Sequence, residues 1–192
     1  SSVSIGWLSL DWWSDPYVGA HWLATKELPD LQWQTQSHHG ALSQLLLISS
    51  HHLVEMMLFH CIKEILNAKS GMFPKHEKQL PRARFEDAFT KWPKELGYNS
   101  FDMKVQPFSS IKRLHERRNA TIHKDSALTS LKMAKSALYS AVEGSREIAL
   151  HFRGAGGFPY AKVLEKYQLP VQPWFADVEF IERKISQETP DN

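Results

Sequence analysis

The residues best suited to chemistry lie between positions 111 and 135, where cationic side chains cluster. This segment holds seven Lys or Arg against two acidic residues, an excess of five positive charges in a chain whose net charge is +2. The cations are Lys112, Arg113, Arg117, Arg118, Lys124, Lys132 and Lys135. One predicted helix ends and the next begins here, and a helix N-terminus presents N–H groups and a positive dipole end to anions. The segment therefore predicts a phosphate site, and a solvated basic face is the alternative.

Within this cationic segment, Arg118, Asn119 and His123 combine the side chains that RNA cleavage without a metal requires. Such cleavage removes the proton of a ribose 2′-OH, stabilises charge on a five-coordinate phosphorus and protonates the departing 5′-oxygen. A histidine that titrates near neutrality can take or give a proton, and an arginine offers a fixed fork of donors to phosphate oxygens. Asn119 could orient His123 or bind the phosphate. The structural alternative is that His123 hydrogen-bonds within the fold and Arg118 pairs with a carboxylate such as Glu116.

At Arg118-Asn119-Ala120-Thr121-Ile122-His123 the sequence resembles the HEPN superfamily. The family signature is an Arg, usually followed by Asn, Asp or His, with a His four to six residues beyond the Arg, between the last two core helices. The resemblance covers roughly residues 39–152. It implies a small helical bundle, usually dimeric, in which two motifs face each other across a two-fold axis. Many members are metal-independent endoribonucleases of toxin–antitoxin and antiviral systems, and the expected product is a 2′,3′-cyclic phosphate.

The motif and its surroundings define three sets of candidate site residues. The resemblance assigns catalysis to Arg118, Asn119 and His123. Substrate binding is predicted for three neighbouring cations, Arg113, Arg117 and Lys124. An auxiliary role facing the motif is predicted for two polar residues of an earlier helix, His52 and Glu55. The resemblance implies neither a cofactor nor a metal ion.

Two other pairs satisfy the looser spacing of an Arg and a His. Arg117 lies at an allowed distance from His123, but a polar Asn directly follows Arg118, which favours Arg118. Arg146 and His151 match as well, but an acidic residue follows Arg146 in the middle of a predicted helix. We attribute this second match to chance.

A rival hypothesis rests on the histidines of a long helix predicted over residues 39–68. His51 with Glu55, and His60 with Glu64, are four residues apart, so each pair could offer two metal ligands on one helix face. At about 100° per residue, His51 and His60 lie about 180° apart on the helix. The alternatives to the ribonuclease are therefore a metal-binding helical bundle and a catalytically silent module that binds a protein or a nucleotide.

Composition limits the class of protein. The 192 residues are 42% hydrophobic and 23% charged, as in soluble globular domains. Cys61 is the only cysteine, which excludes a disulfide framework or a thiolate-only zinc site within one chain. The most apolar stretch, 42–62, contains eight polar or charged residues, so we expect no membrane span and a cytoplasmic location.

The elements that must position the candidate residues are predicted to be helices. Apolar residues recur in steps of three and four, and no stretch alternates with period two, so the predicted class is all-α. The long helix is apolar on several sides, which is typical of a central bundle helix or of a subunit interface. The predicted helices cover 39–68, 82–97, 108–119 and 127–152, the last capped by Asp125 or Ser126.

The predicted architecture is an antiparallel bundle of about four helices over residues 38–153, between two aromatic-rich extensions. Residues 1–37 hold five of the seven Trp and a short helix near 18–26. Residues 154–192 hold an amphipathic piece over 175–185 and a polar end expected to be disordered. As partners, the resemblance implies a second copy of the chain in a homodimer, RNA, and an antitoxin or nucleotidyltransferase encoded by a neighbouring gene; no membrane partner is expected.

Overall fold

The described part of the chain is all-α, as predicted. A computed structural model describes residues 11–26, 35–123 and 129–188, without the side chains of 35–39, 121–123 and 186–187. These ranges contain no strand. Their helices are α1 Ser14–Thr25, α2 Thr35–Ala68, α3 Pro74–Gln79, a 3-10 turn Leu80–Arg82, α4 Phe85–Glu95, α5 Phe108–His123, α6 Leu131–Arg153, α7 Ala161–Lys166 and α8 Phe175–Glu188.

The long helix α2 is the central element of the core. It lies along α6 for much of its length and also contacts α1, α4 and α5. Its apolar side chains are buried on these several sides, including Leu46, Leu53, Met57 and Ile62. Among its described large apolar side chains only Leu45 is exposed, at 53%. The apolar character of α2, which also suggested a subunit interface, is therefore accounted for within one chain.

By length and composition, the stretch Gly40–Ala68 could also cross a membrane. The core helix of a soluble protein meets the same criterion, and just over half of the most apolar part of this stretch is buried inside the structure. Three polar side chains of α2, Ser43, Ser50 and His51, are buried as well. The expected absence of a membrane span stays a prediction.

Helix α5 is longer than predicted, and α6 begins later. No Pro or Gly lies between Asn119 and His123, so α5 continues to His123 instead of ending at residue 119. The N-cap of α6 is Ser130, whose Oγ accepts a hydrogen bond from the Met133 backbone N–H at 3.0 Å. The predicted caps Asp125 and Ser126 lie outside the described residues, and the predicted helix start at 127 is wrong. The motif thus begins inside α5 rather than between two helices.

Helices from both ends of the chain complete the core around α2. In α1 and just before it, Trp13 and Tyr17 are fully buried, and Phe175 at the start of α8 is fully buried as well. The amphipathic piece predicted over 175–185 is helical, and α8 lies against both α5 and α6. The polar end predicted to be disordered, 189–192, lies outside the described part.

Candidate functional site

Arg118 and Asn119 lie half-buried near the C-terminal end of α5. Nη1 of Arg118 donates a hydrogen bond to Oδ1 of Asn119 at 3.1 Å. The Nε atom of Arg118 is buried and has no hydrogen-bond partner among the described residues. Glu116, a carboxylate that could have neutralised Arg118, instead accepts a hydrogen bond from Arg113. Arg118 therefore keeps a buried donor available for an acceptor from outside the described part of the chain.

His115 lies next to Asn119, and the sequence reasoning missed it. Its Nε2 atom is 3.2 Å from Nδ2 of Asn119, one helical turn away, and its Nδ1 atom is 2.8 Å from Nε2 of His51. The ring also stacks on Phe85 of α4, with 4.2 Å between the centroids. The four-residue spacing of His115 and Asn119 on a predicted helix is the signal that could have found it.

The α2 histidine that contacts the motif helix is His51, not His52. His51 is 2% exposed and points to α5, whereas His52 is exposed, because one residue turns the helix by about 100°. Glu55 is connected to the motif only through His51, whose Nδ1 atom lies 3.4 Å from its Oε2. The expected placement of His52 facing the motif is therefore wrong, and Glu55 lies one step further from the motif than expected; an auxiliary role for either residue stays a prediction.

Both imidazoles of this cluster are held in the neutral form. Burial lowers the pKa of His51 to about 3, and its electrostatic interactions with Arg118 and with the His115 ring act in the same direction. Burial also lowers the pKa of His115, and the Arg118 charge adds to this effect. At neutral pH each ring therefore has one N–H donor and one nitrogen acceptor.

The structure describes only some of the remaining candidate residues, which are His123, Lys124 and Arg117. The backbone of residue 123 closes α5 one turn beyond Asn119, on the same helix face, and its side chain is outside the described set. Lys124 lies outside the described residues altogether. Arg117 is half-buried on α5.

Arg113 is part of an ion-pair cluster that attaches α8 to α5. Its Nη2 and Nε atoms donate to the two carboxylate oxygens of Glu179 at 2.7 and 3.1 Å, and Glu179 is only 2% exposed. The hydrogen bond to Glu179 is the main reason that the pKa of Arg113 is raised. Two carboxylates, those of Glu179 and Glu116, thus already occupy this guanidinium, which leaves it less suited to bind a phosphate.

The second Arg–His match has no shared site. Arg146 pairs with Glu143 at 3.7 Å, while Nε2 of His151 contacts the backbone carbonyl of Asn99 at 2.7 Å. Both lie on α6, but their partners belong to different parts of the surface. This arrangement agrees with a chance match.

The described residues hold no group of three or more side chains that could bind a metal ion together. His60 stacks on Trp12 with 3.7 Å between centroids, and Glu64 accepts two hydrogen bonds from Arg153. The two predicted pairs on α2 are thus engaged with other side chains, which gives the metal-binding alternative no support in this part of the chain.

No protein-family model, curated protein or solved structure matches this chain.

Proposed function

We propose that this protein is a metal-independent endoribonuclease of HEPN type, acting in a toxin or defence system. The observation that supports it best is Arg118, a half-buried arginine with an unused buried donor, positioned by Asn119 within a segment that carries five excess positive charges. A guanidinium without a carboxylate among the described residues is suited to a phosphodiester, because its fork of donors matches two phosphate oxygens.

In the proposed reaction, His123 takes the proton of a ribose 2′-OH, and the 2′-oxygen attacks the adjacent phosphorus. The bond to the 5′-oxygen breaks, and that oxygen leaves with a proton from a second acid, so the products are a 2′,3′-cyclic phosphate and a 5′-OH. Arg118 stabilises the charge that develops on the phosphoryl oxygens. Arg117 and Lys124 add positive charge that attracts the RNA backbone.

The proposed assembly is a homodimer in which the second copy supplies the acid. In each copy α2, α4, α5 and α6 would form the HEPN-like bundle of about four helices, with the aromatic segments before and after it as extensions. Because α2 is covered within the chain, the support for the dimer comes from the resemblance. Exposed apolar side chains of α8, such as Phe180 and Ile181, offer a surface for it. The proposed location is the cytoplasm, and the proposed regulator is an antitoxin or nucleotidyltransferase from a neighbouring gene.

Cleavage of single-stranded RNA by point variants tests the proposal. Arg118→Ala and His123→Ala should each abolish cleavage and leave the free energy of unfolding within about 1 kcal/mol of the wild type, since residue 123 ends α5 and Arg118 is only half-buried. Wild-type cleavage should persist in excess chelator and fall with salt, because salt screens the cationic segment.

The matched control is the double variant Arg146→Ala, His151→Ala, which carries the other Arg–His match and should cleave as the wild type does. Cleavage that disappears with chelator yet persists in His123→Ala would refute the proposal and favour a metal enzyme. RNA binding without any cleavage would refute it in favour of the silent module.

A further inference from the structure

A chain of polar contacts joins the cation Arg118 to the anion Glu55 across the contact between α5 and α2. Arg118 donates to Asn119 at 3.1 Å, and Asn119 Nδ2 lies 3.2 Å from His115 Nε2. His115 Nδ1 lies 2.8 Å from His51 Nε2, and His51 Nδ1 lies 3.4 Å from the Glu55 carboxylate. The three inner groups of this series, Asn119, His115 and His51, are neutral. One charge therefore lies at each end of the series.

The chemistry of the groups allows only one direction of donation along this chain. A guanidinium only donates, so the amide oxygen of Asn119 faces Arg118 and the amide nitrogen faces His115. An amide nitrogen also only donates, so Nε2 of His115 must accept. The proton of neutral His115 is therefore on Nδ1.

The tautomer of His51 on α2 follows from that of His115. The Nδ1–H group of His115 donates to Nε2 of His51, so the proton of His51 is on its own Nδ1. That N–H lies on the side of the Glu55 carboxylate, whose Oε2 is 3.4 Å from Nδ1, an electrostatic contact rather than a hydrogen bond. The hydrogen-bond partners thus fix both histidine tautomers and the orientation of the Asn119 amide.

We propose that His115, His51 and Glu55 are positioning residues, which hold the Asn119 amide in one orientation and through it aim the Arg118 guanidinium at a phosphate. The role in cleavage rests on the proposed ribonuclease function. The direction of the hydrogen-bond chain is a property of the protein alone and can be measured without RNA.

Protonation of His115 would break the chain, because Nε2 would then point an N–H at the N–H of Asn119. The charged groups that act on this ring are Arg118 and Glu116 of α5 and Glu86 of α4. His51 of α2 contacts the ring directly, and Glu55 contacts His51 on its far side. Burial and Arg118 favour the neutral ring, so the chain is intact at neutral pH and opens in acid.

Nitrogen-15 NMR of the histidine rings in the whole protein tests the direction of donation along this hydrogen-bond chain. At neutral pH, His51 and His115 should both be Nδ1–H tautomers. A proton on Nε2 of His115 in the wild-type protein would overturn the inference, and this measurement needs no variant.

Asn119→Asp gives the second test, because an aspartate accepts and cannot donate. His115 must then keep a proton on Nε2, so its pKa should rise relative to the wild type and its tautomer should change. The ring of His151, which contacts Asn99 elsewhere, is the internal control and should be unchanged. If the pKa and the tautomer of His115 are unaltered in a folded Asn119→Asp protein, the inferred direction of donation is wrong.

Cleavage kinetics test the positioning role. His115→Phe keeps a ring for stacking on Phe85 and removes both nitrogens, and it should lower kcat about 10- to 100-fold while KM for RNA stays within a few-fold. His76→Phe, the same substitution beside Trp92 and Glu95, is the matched control and should keep the wild-type kcat.

The failures of the two proposals can be told apart. If the wild-type protein does not cleave RNA, the proposed ribonuclease function is refuted, and the positioning role is refuted with it. The histidine tautomers would still test the direction of donation along the hydrogen-bond chain. A wild-type enzyme that cleaves, with His115→Phe as fast, overturns the positioning role and leaves the ribonuclease standing.

Discussion

At the scale of single residues, the geometry of Arg118 decides what the site can bind. Its Nη1 atom is used by Asn119, and its buried Nε atom has no partner in the described ranges. A lysine at this position would keep the positive charge but would lose the planar fork of donors. Charge alone and donor geometry can therefore be separated experimentally.

We expect Arg118→Lys to retain RNA affinity within a few-fold, because the long-range attraction depends on charge. Its single-turnover cleavage rate should fall about 100-fold, since a donor aimed at the transition-state oxygens is lost. Fluorescence anisotropy measures the affinity and quenched-flow cleavage measures the rate. Arg146→Lys, on α6 beside Glu143, is the matched control. Wild-type cleavage by Arg118→Lys would mean that this guanidinium does not contact the phosphate.

The residues of the site differ in how far the sequence could predict them. Arg118 and Asn119 are adjacent, and their types and spacing from a histidine are visible in the chain itself. His115 acquires its role only because the fold places it beside His51, which is 64 residues away. The choice between His51 and His52 depends on the rotation of α2 about its axis, which the packing of the whole core sets.

At the scale of helices, the position of α5 depends on its close approach to α6 at Gly144. A Cβ atom built on Gly144 would lie 2.1 Å from Cδ1 of Ile111, a fully buried residue of α5. Ile111 lies one turn before His115, so any displacement there is transmitted toward the site. The absent side chain at Gly144 thus contributes to the placement of the motif helix.

Gly144→Ala should destabilise the protein by up to about 2 kcal/mol. Overpacking costs about 1 to 3 kcal/mol, and the better helix propensity of alanine returns up to about 1 kcal/mol. Gly19→Ala in α1 is the control, because a Cβ there meets nothing within 4 Å. Urea unfolding of both variants measures the difference. A Gly144→Ala protein as stable as Gly19→Ala would show that Ile111 moves aside without cost.

The helices themselves were predictable where apolar periodicity is strong, as in α2 and α8. The ends of α5 and α6 were not, because several polar residues between 119 and 130 could each cap a helix. The position of α8 could not be predicted from the sequence either, because the bidentate ion pair between Arg113 and Glu179 helps to attach it to α5. That pair joins residues 66 positions apart.

At the scale of the whole molecule, one core buries ionisable groups together with apolar side chains. The pKa values of His51, His60 and His115 are all lowered, in each case chiefly because the ring is removed from water. These groups link the free energy of unfolding to pH, since the unfolded chain exposes them again.

The protein should lose stability as the pH falls below about 6.5, before the carboxylates titrate. In that range the unfolded chain protonates these histidines while the folded protein keeps His51 neutral down to about pH 3. The unfolded state therefore binds more protons, and the free energy of unfolding rises with pH, by up to about 1.4 kcal/mol per pH unit for each such histidine. Urea unfolding at intervals between about pH 5 and pH 7 measures this slope.

His51→Gln removes the most strongly affected imidazole, so its slope should be smaller than that of the wild type. His52→Gln, at the neighbouring exposed position of α2, controls for the substitution itself. The slope should be smaller in His51→Gln than in His52→Gln, because only the buried ring must be deprotonated for the protein to fold. Equal slopes in the two variants, or a stability that is constant across this range, would mean that His51 is not held neutral in the folded protein.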